Sequence, residues 1–135
     1  MDIELLIPHR GSIVMIDEII SHSLEETTTS FLINHNNIFV DQGVFQSPGI
    51  IENMAQSAAA RFGIENFNHS VPPSLGYIAS IKNLNINNFP VVGQEIVTRI
   101  VNKNQINQLI IIGAEVSIDK LSVASCELKV FIDKK

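Results

Sequence analysis

Only one stretch of this 135-residue chain can form a long helix. Ser47 is a good N-cap, and Pro48 suits the first helical position, where its missing N–H costs nothing. From Ile50 the apolar residues Ile51, Met54, Ala55, Ala58, Ala59 and Phe62 recur at helical spacing, and Gly63 is placed to stop the helix. Its centre is small-sided: Ser57, then Ala58, Ala59 and Ala60. Small side chains let a helix approach a sheet closely, so this helix is expected to lie in the concavity of a curved sheet.

The rest reads as strands. A short opening helix over Ile3 to Ile7 stops at Pro8, and strands are expected over Ile13 to His22 and Glu26 to Asn34. His35 to Gln46 is rich in Asn, Asp and Gly and reads as a loop, with Ile38-Phe39-Val40 tucked inward. After a Pro72-Pro73 connector come Leu75 to Ile86, Glu95 to Lys103, Leu109 to Ile118 and Leu121 to Ile132. In the third of these, Ile112, Ala114, Val116 and Ile118 alternate with Glu115 and Ser117. In the fourth, Ala124, Cys126, Leu128, Val130 and Ile132 point inward. Asp119-Lys120 is short enough for a hairpin tip. One long helix wrapped by an antiparallel sheet of five or six strands is an α+β layout. The length fits a single domain over residues 1–135.

Composition narrows the function classes. Hydrophobic residues at 45% and charged residues at 17% fit a packed core rather than disorder. The formal net charge is -5 and the nine basic residues are scattered, which disfavours a nucleic-acid binder. The lone cysteine, Cys126, excludes an internal disulfide, and its inward place marks a core residue rather than a nucleophile. Met1-Asp2-Ile3-Glu4 lacks the basic region of a signal peptide, and runs such as Leu109 to Ala114 are too short to span a bilayer. The expectation is a cytoplasmic, soluble protein with no membrane span. The four histidines show no metal-ligand spacing, so no metal is expected, and His22, His35 and His69 read as solvent-facing.

Two separated motifs carry a resemblance. Leu6-Ile7-Pro8-His9-Arg10 followed by Ile13-Val14-Met15-Ile16-Asp17 resembles the L-x-P-H-R…L-L-x-D opening of the beta-hydroxyacyl-carrier-protein dehydratases. Glu52-Asn53-Met54-Ala55-Gln56 is similar to their E-x-x-A-Q helix signature. Gly76 to Ile81, Phe89 to Gly93 and Val123 to Leu128 follow in the family's order, so the resemblance runs from about Leu6 to Ile132. It implies a hotdog fold, a dimer, and an active site at the dimer interface. The implied substrate is a 3-hydroxyacyl thioester carried by acyl carrier protein on phosphopantetheine, with no further cofactor. The reaction it implies is loss of water to the trans-2-enoyl product. In the family a histidine of one subunit removes the C2 proton, and a helix carboxylate of the other protonates the departing hydroxyl.

Physical chemistry says which residues here suit those roles. A carboxylic acid must hold its proton near neutral pH, which an apolar setting favours, and Glu52 sits among Ile51, Met54 and Ala55 with Gln56 one turn away to orient it. The alternative is an ordinary solvated helix residue. The charge growing on the thioester oxygen needs preorganised donors, and because Pro48 has none, Gly49, Ile50 or the loop amide of Gly43 would have to serve. An acidic carrier would need a local basic patch, for which Arg10 and Arg61 are the candidates.

The family's G-H-F-P-G histidine motif is missing. Between the second strand and the helix stands Asn36 to Gln46, a shorter loop without a G-H pair. Asp41 occupies the vacant place, as a turn acceptor or as a base, and His9 is a second candidate base with an alternative structural role. A divergent branch found with aryl polyene and flexirubin-type pigment genes has this look: no histidine, a D-x-G-V loop, then I-E-x-M-A-Q. Gly43-Val44 and Ile51 to Gln56 resemble it closely. Three functions follow in order: a dehydratase with Glu52 as acid and His9 or Asp41 as base; a non-catalytic partner of a complete hotdog subunit; and a hotdog thioesterase. The dimer is accordingly homomeric or heteromeric.

Overall fold

The computed structural model describes residues 2–68 and 76–132. A 3-10 turn over Ile3–Leu5 opens the chain, with the Asp2 carboxylate accepting from the Glu4 amide at 3.0 Å, and a second turn covers Gly11–Ile13. Then come β1 (Glu18–His22), β2 (Glu26–Leu32), the two-residue strands β3 (Val40–Asp41) and β4 (Val44–Phe45), and α1 (Ser47–Asn68). The chain finishes with β5 (Gly76–Ile86), β6 (Glu95–Ile106), β7 (Leu109–Ile118) and β8 (Leu121–Ile132). Six strands form one antiparallel sheet in the order β1-β2-β6-β7-β8-β5, with β3 and β4 paired separately. One helix against a six-stranded antiparallel sheet is the expected hotdog layout.

The period-2 segments fold as their pattern demands. Ile110, Ile112, Ala114 and Val116 of β7, and Ala124, Cys126, Leu128 and Val130 of β8, are buried. Asp119 (φ 49°) and Lys120 (φ 69°) both adopt the left-handed conformation that a two-residue hairpin of the right twist requires. Ile50, Met54 and Ala58 of α1 pack with Phe31, Ile96, Ile112 and Leu128 in the main core. On its other side α1 buries Ala60 and Ile64 against Ile3, Leu6, Ile7 and Ile16. The helix is therefore held between the sheet and the N-terminal segment.

Several boundaries differ from expectation, each for a physical reason. The first strand begins at Glu18, not Ile13, because helix side chains satisfy the backbone there. The Met15 amide donates to Gln56 Oε1 at 2.6 Å, Asn53 Nδ2 donates to the Met15 carbonyl at 2.7 Å, and Gln56 Nε2 donates to the Ile13 carbonyl at 2.8 Å. The helix does not stop at Gly63 but continues through Asn68. Gly63 instead makes room, since a Cβ there would stand 2.1 Å from the Leu6 carbonyl oxygen. The loop before α1 contains the β3–β4 hairpin, and Ile38 is exposed while Phe39 and Val40 are half-buried. β6 extends to Ile106. His69, Pro72-Pro73 and Leu75 lie outside the described residues.

Cys126 is buried with its Sγ 3.6 Å from Met54 Sδ, and burial pushes the thiol up from 9.0 to about 11. The unfolded chain therefore loses this proton first as pH rises. The stability linked to it is complete below pH 9 and is lost by pH 11, a change of roughly 2–3 kcal/mol. Denaturant unfolding below pH 9 and near pH 11 should show a shallower alkaline decline in Cys126→Ala than in the native chain. Equal declines would sink this account.

Candidate active site

Glu52 is half-buried early in α1, between half-buried Ile51 and fully buried Asn53, with half-buried Ala55 three residues on. It has no ion pair among the described residues. Gln56, expected to orient it, is fully buried, and its amide holds Ile13 and Met15 backbone atoms. Asn53 shares the grip on Met15, and its role was not read from the sequence. The available signal was the polar set Asn53, Gln56, Ser57 and Arg61, which recurs at helical spacing on a helix otherwise rich in apolar residues.

The loop carrying Asp41 is a tight hairpin clamped against the start of α1. Gln42 (φ 50°) and Gly43 (φ 79°) form its tip, Val92 N–H donates to the Gly43 carbonyl at 3.0 Å, and Phe45 N–H donates to the Pro90 carbonyl at 2.8 Å. A Cβ on Gly49 would lie 2.5 Å from the Phe45 ring and 2.8 Å from Phe39 Cβ, so glycine here lets the hairpin press on the helix. Asp41 is exposed. The amides of Gly49 and Ile50 both donate to the Gln46 carbonyl, at 3.0 and 3.3 Å, so neither stands free as the oxyanion expectation required. Gly43 N–H has no backbone acceptor among the described residues.

His9 lies in the segment that runs along α1 from the Leu6 contact at Gly63 to the Ile13 contact at Gln56. Its Nδ1 is buried without a hydrogen-bond partner among the described residues. Arg10 staples this segment, donating to the carbonyls of Ile7 (2.8 Å), His9 (2.7 Å) and Glu4 (2.8 Å). These contacts place His9 beside the middle of the helix, and the hairpin places Asp41 near its start.

Arg61 does not join a basic docking patch, because it is 2% exposed. It donates to the carbonyls of Ser23 and Leu24, to Thr27 Oγ1 and to Asn102 Oδ1, tying the β1–β2 turn to the helix. Burial pulls its pKa below the ordinary arginine value, with Glu65, Glu25 and Glu26 opposing. His22, expected to face solvent, bridges Thr27 Oγ1 at 2.7 Å and Glu65 Oε1 at 3.0 Å. A cavity of about 360 Å³ is lined by sheet residues including Arg99, Lys103, Gly113, Glu115 and Glu127. Its cations are paired, Arg99 with Glu26 and Lys103 with Glu127. Among the described residues no group of three potential ligands could hold a metal, and no helix is long and apolar enough to cross a membrane.

Comparison with known proteins completes the picture. The chain is similar in structure to the dehydratase heterocomplex ApeI:P from Xenorhabdus doucetiae, with a TM-score of 0.92 and 16% identity over 100% of this chain and 93% of that one. It is also similar to a HP0420 homologue from Helicobacter felis (TM-score 0.74, 17% identity, 97% and 88% covered). A third likeness is to a hypothetical thioesterase with coenzyme A from Streptococcus pneumoniae TIGR4 (TM-score 0.70, 9% identity, 87% and 86% covered). At these identities the likeness establishes the hotdog fold. No curated protein matches the sequence. The family model described as ApeP dehydratase matches residues 1–135, the whole length, and the chain belongs to the ApeP-like dehydratase family.

Proposed function

We propose that this chain is the acid-bearing subunit of a two-subunit hotdog dehydratase. Its substrate is a 3-hydroxyacyl thioester on acyl carrier protein, the product is the trans-2-enoyl thioester, and the setting is polyene pigment assembly. The observation that carries this reading is Glu52: it is half-buried in α1, the Asp41 side chain on the hairpin that presses on Gly49 is exposed, and no described residue forms an ion pair with Glu52. On this reading the chain supplies the acid and a second subunit supplies the base. A base on the second subunit takes the C2 proton, electrons move toward the thioester oxygen, and Glu52 gives its proton to the departing hydroxyl, which leaves as water.

The sheet supports a second subunit. β5 closes one end of the sheet, and Ile78, Ile81 and Leu84 on it are exposed. An eleven-residue edge strand with bare apolar side chains is a hazard unless another strand or subunit covers it. A second hotdog subunit fits that edge, and the similar ApeI:P structure is itself a heterocomplex.

The test is to incubate 3-hydroxyacyl carrier protein with this chain alone, with a histidine-bearing hotdog dehydratase subunit alone, and with both, following the loss of one water by mass spectrometry. The mixture is expected to exceed either component. Full activity of the isolated chain would overturn the two-subunit reading and return the base to His9 or Asp41. Free acid and free thiol in place of enoyl product would identify a thioesterase.

A further inference from the structure

The face that α1 turns inward is not wholly apolar. Asn53, Gln56 and Ser57 are fully buried there, and so are Thr29 and Thr98 on the sheet opposite. Asn53 is joined on both sides: its Nδ2 donates to the Met15 carbonyl, and its Oδ1 accepts from Thr98 Oγ1 of β6. Ser57 Oγ donates to the Asn53 carbonyl, which leaves the Thr29 hydroxyl of β2 to donate to Ser57 at 2.7 Å.

Stability alone does not require this seam. Replacing both partners of a buried hydrogen bond by apolar groups of the same shape is often neutral or stabilising. Direction is what such bonds add. Ile50, Met54 and Ala58 pack by shape and tolerate a small slide or turn of the helix, whereas hydrogen bonds weaken steeply when misaligned. Turning α1 about its axis would strip Asn53 from Thr98 and Met15 together, leaving buried polar groups without partners.

Glu52 is the residue next to Asn53, about 100° round the helix from it. Fixing Asn53 against β6 and Met15 fixes the direction in which Glu52 leaves the helix. We infer that Asn53 and Thr98 are positioning residues, a hydrogen-bonded clamp that sets the rotation of α1 and so the aim of the Glu52 carboxyl. The activity side of this inference rests on the reading of Glu52 as the acid; the clamp itself does not.

Thr98→Val keeps the side-chain shape and removes the hydroxyl, while Thr98→Ser keeps the hydroxyl. In the assembled complex Thr98→Val is expected to lower kcat about 10- to 100-fold with KM within about twofold, and Thr98→Ser to restore kcat. On the full chain, NMR relaxation dispersion should show new microsecond-to-millisecond exchange at the amides around Glu52 and Asn53 in Thr98→Val and not in Thr98→Ser. Should Thr98→Val not fold, Asn53→Leu with Thr98→Val exchanges the orphaned Asn53 Oδ1 for the Met15 carbonyl at the other end of the clamp and carries the same readouts. Equal kcat and equal exchange in the Val and Ser variants would overturn the clamp. Exchange in Thr98→Val beside undiminished turnover of Glu52→Gln would leave the clamp standing and remove the acid role from Glu52.

Discussion

With Glu52 as the proposed acid, Glu52→Gln is expected to lower dehydration by the assembled complex about 10²- to 10⁴-fold, the usual worth of a positioned general acid. Glutamine has nearly the same shape and can still hydrogen-bond a hydroxyl, but it has no proton to give. The hydroxyl would then have to leave as hydroxide. Glu52 is half-buried and outside the hydrogen-bonded seam, so the substitution leaves the core and Asn53 untouched. The measurement is kcat of the co-purified complex, with circular dichroism and elution volume confirming that fold and assembly persist. Turnover equal to the unsubstituted complex would mean that the proton comes from another group.

Gly63→Ala is expected to destabilise the fold by about 2–3 kcal/mol, as overpacking of a tight contact does. On an exposed helix the same change would stabilise by about 1 kcal/mol, because alanine is the better helix former. Here the sign reverses. The new Cβ would meet the Leu6 carbonyl oxygen at 2.1 Å, and Leu6 C and Cα at 2.8 Å, and backbone atoms cannot swing aside as a side chain does. The N-terminal segment must move off α1, opening the contacts of Leu6 and Ile7 with Ala60 and Ile64. Urea unfolding with an unchanged m-value would read the loss as a lower midpoint. A higher midpoint would mean that the segment yields easily.

What was legible in the sequence follows from how local each determinant is. β7 and β8 show their bounds because alternation and a two-residue tip act within a few residues. The helix start was legible to within one residue: Ser47, expected as the N-cap, is the first helical residue, and the Gln46 carbonyl before it accepts from the Gly49 and Ile50 amides. Gly63 resembled a stop because the reason for it, the Leu6 backbone, is remote in sequence. Ile13 to Met15 resembled a strand because their partners, Gln56 and Asn53, stand about 40 residues away. In β5 the exposed Ile78, Ile81 and Leu84 recur every three residues, a helix-like spacing that arises in a strand whose register shifts twice, with Asn83 at φ 55°. Glu52 was readable from its motif, while the clamp beside it depends on Thr98 from a distant strand.

The β3–β4 hairpin bears on reversibility. Its tip is a two-residue turn, Val92 and Pro90 hold its backbone, and Phe45 locks it to Gly49. A histidine substituted for Asp41 would sit on an exposed two-residue strand with no slack to reach inward. If the base comes from a second subunit, as proposed, a histidine base on this loop would take an insertion and a substitution together, neither useful without the other. On the proposed reading, a lineage that has folded its loop this way is held by a ratchet: each generation inherits dependence on a second gene product, and the two must thereafter be kept and expressed as a pair.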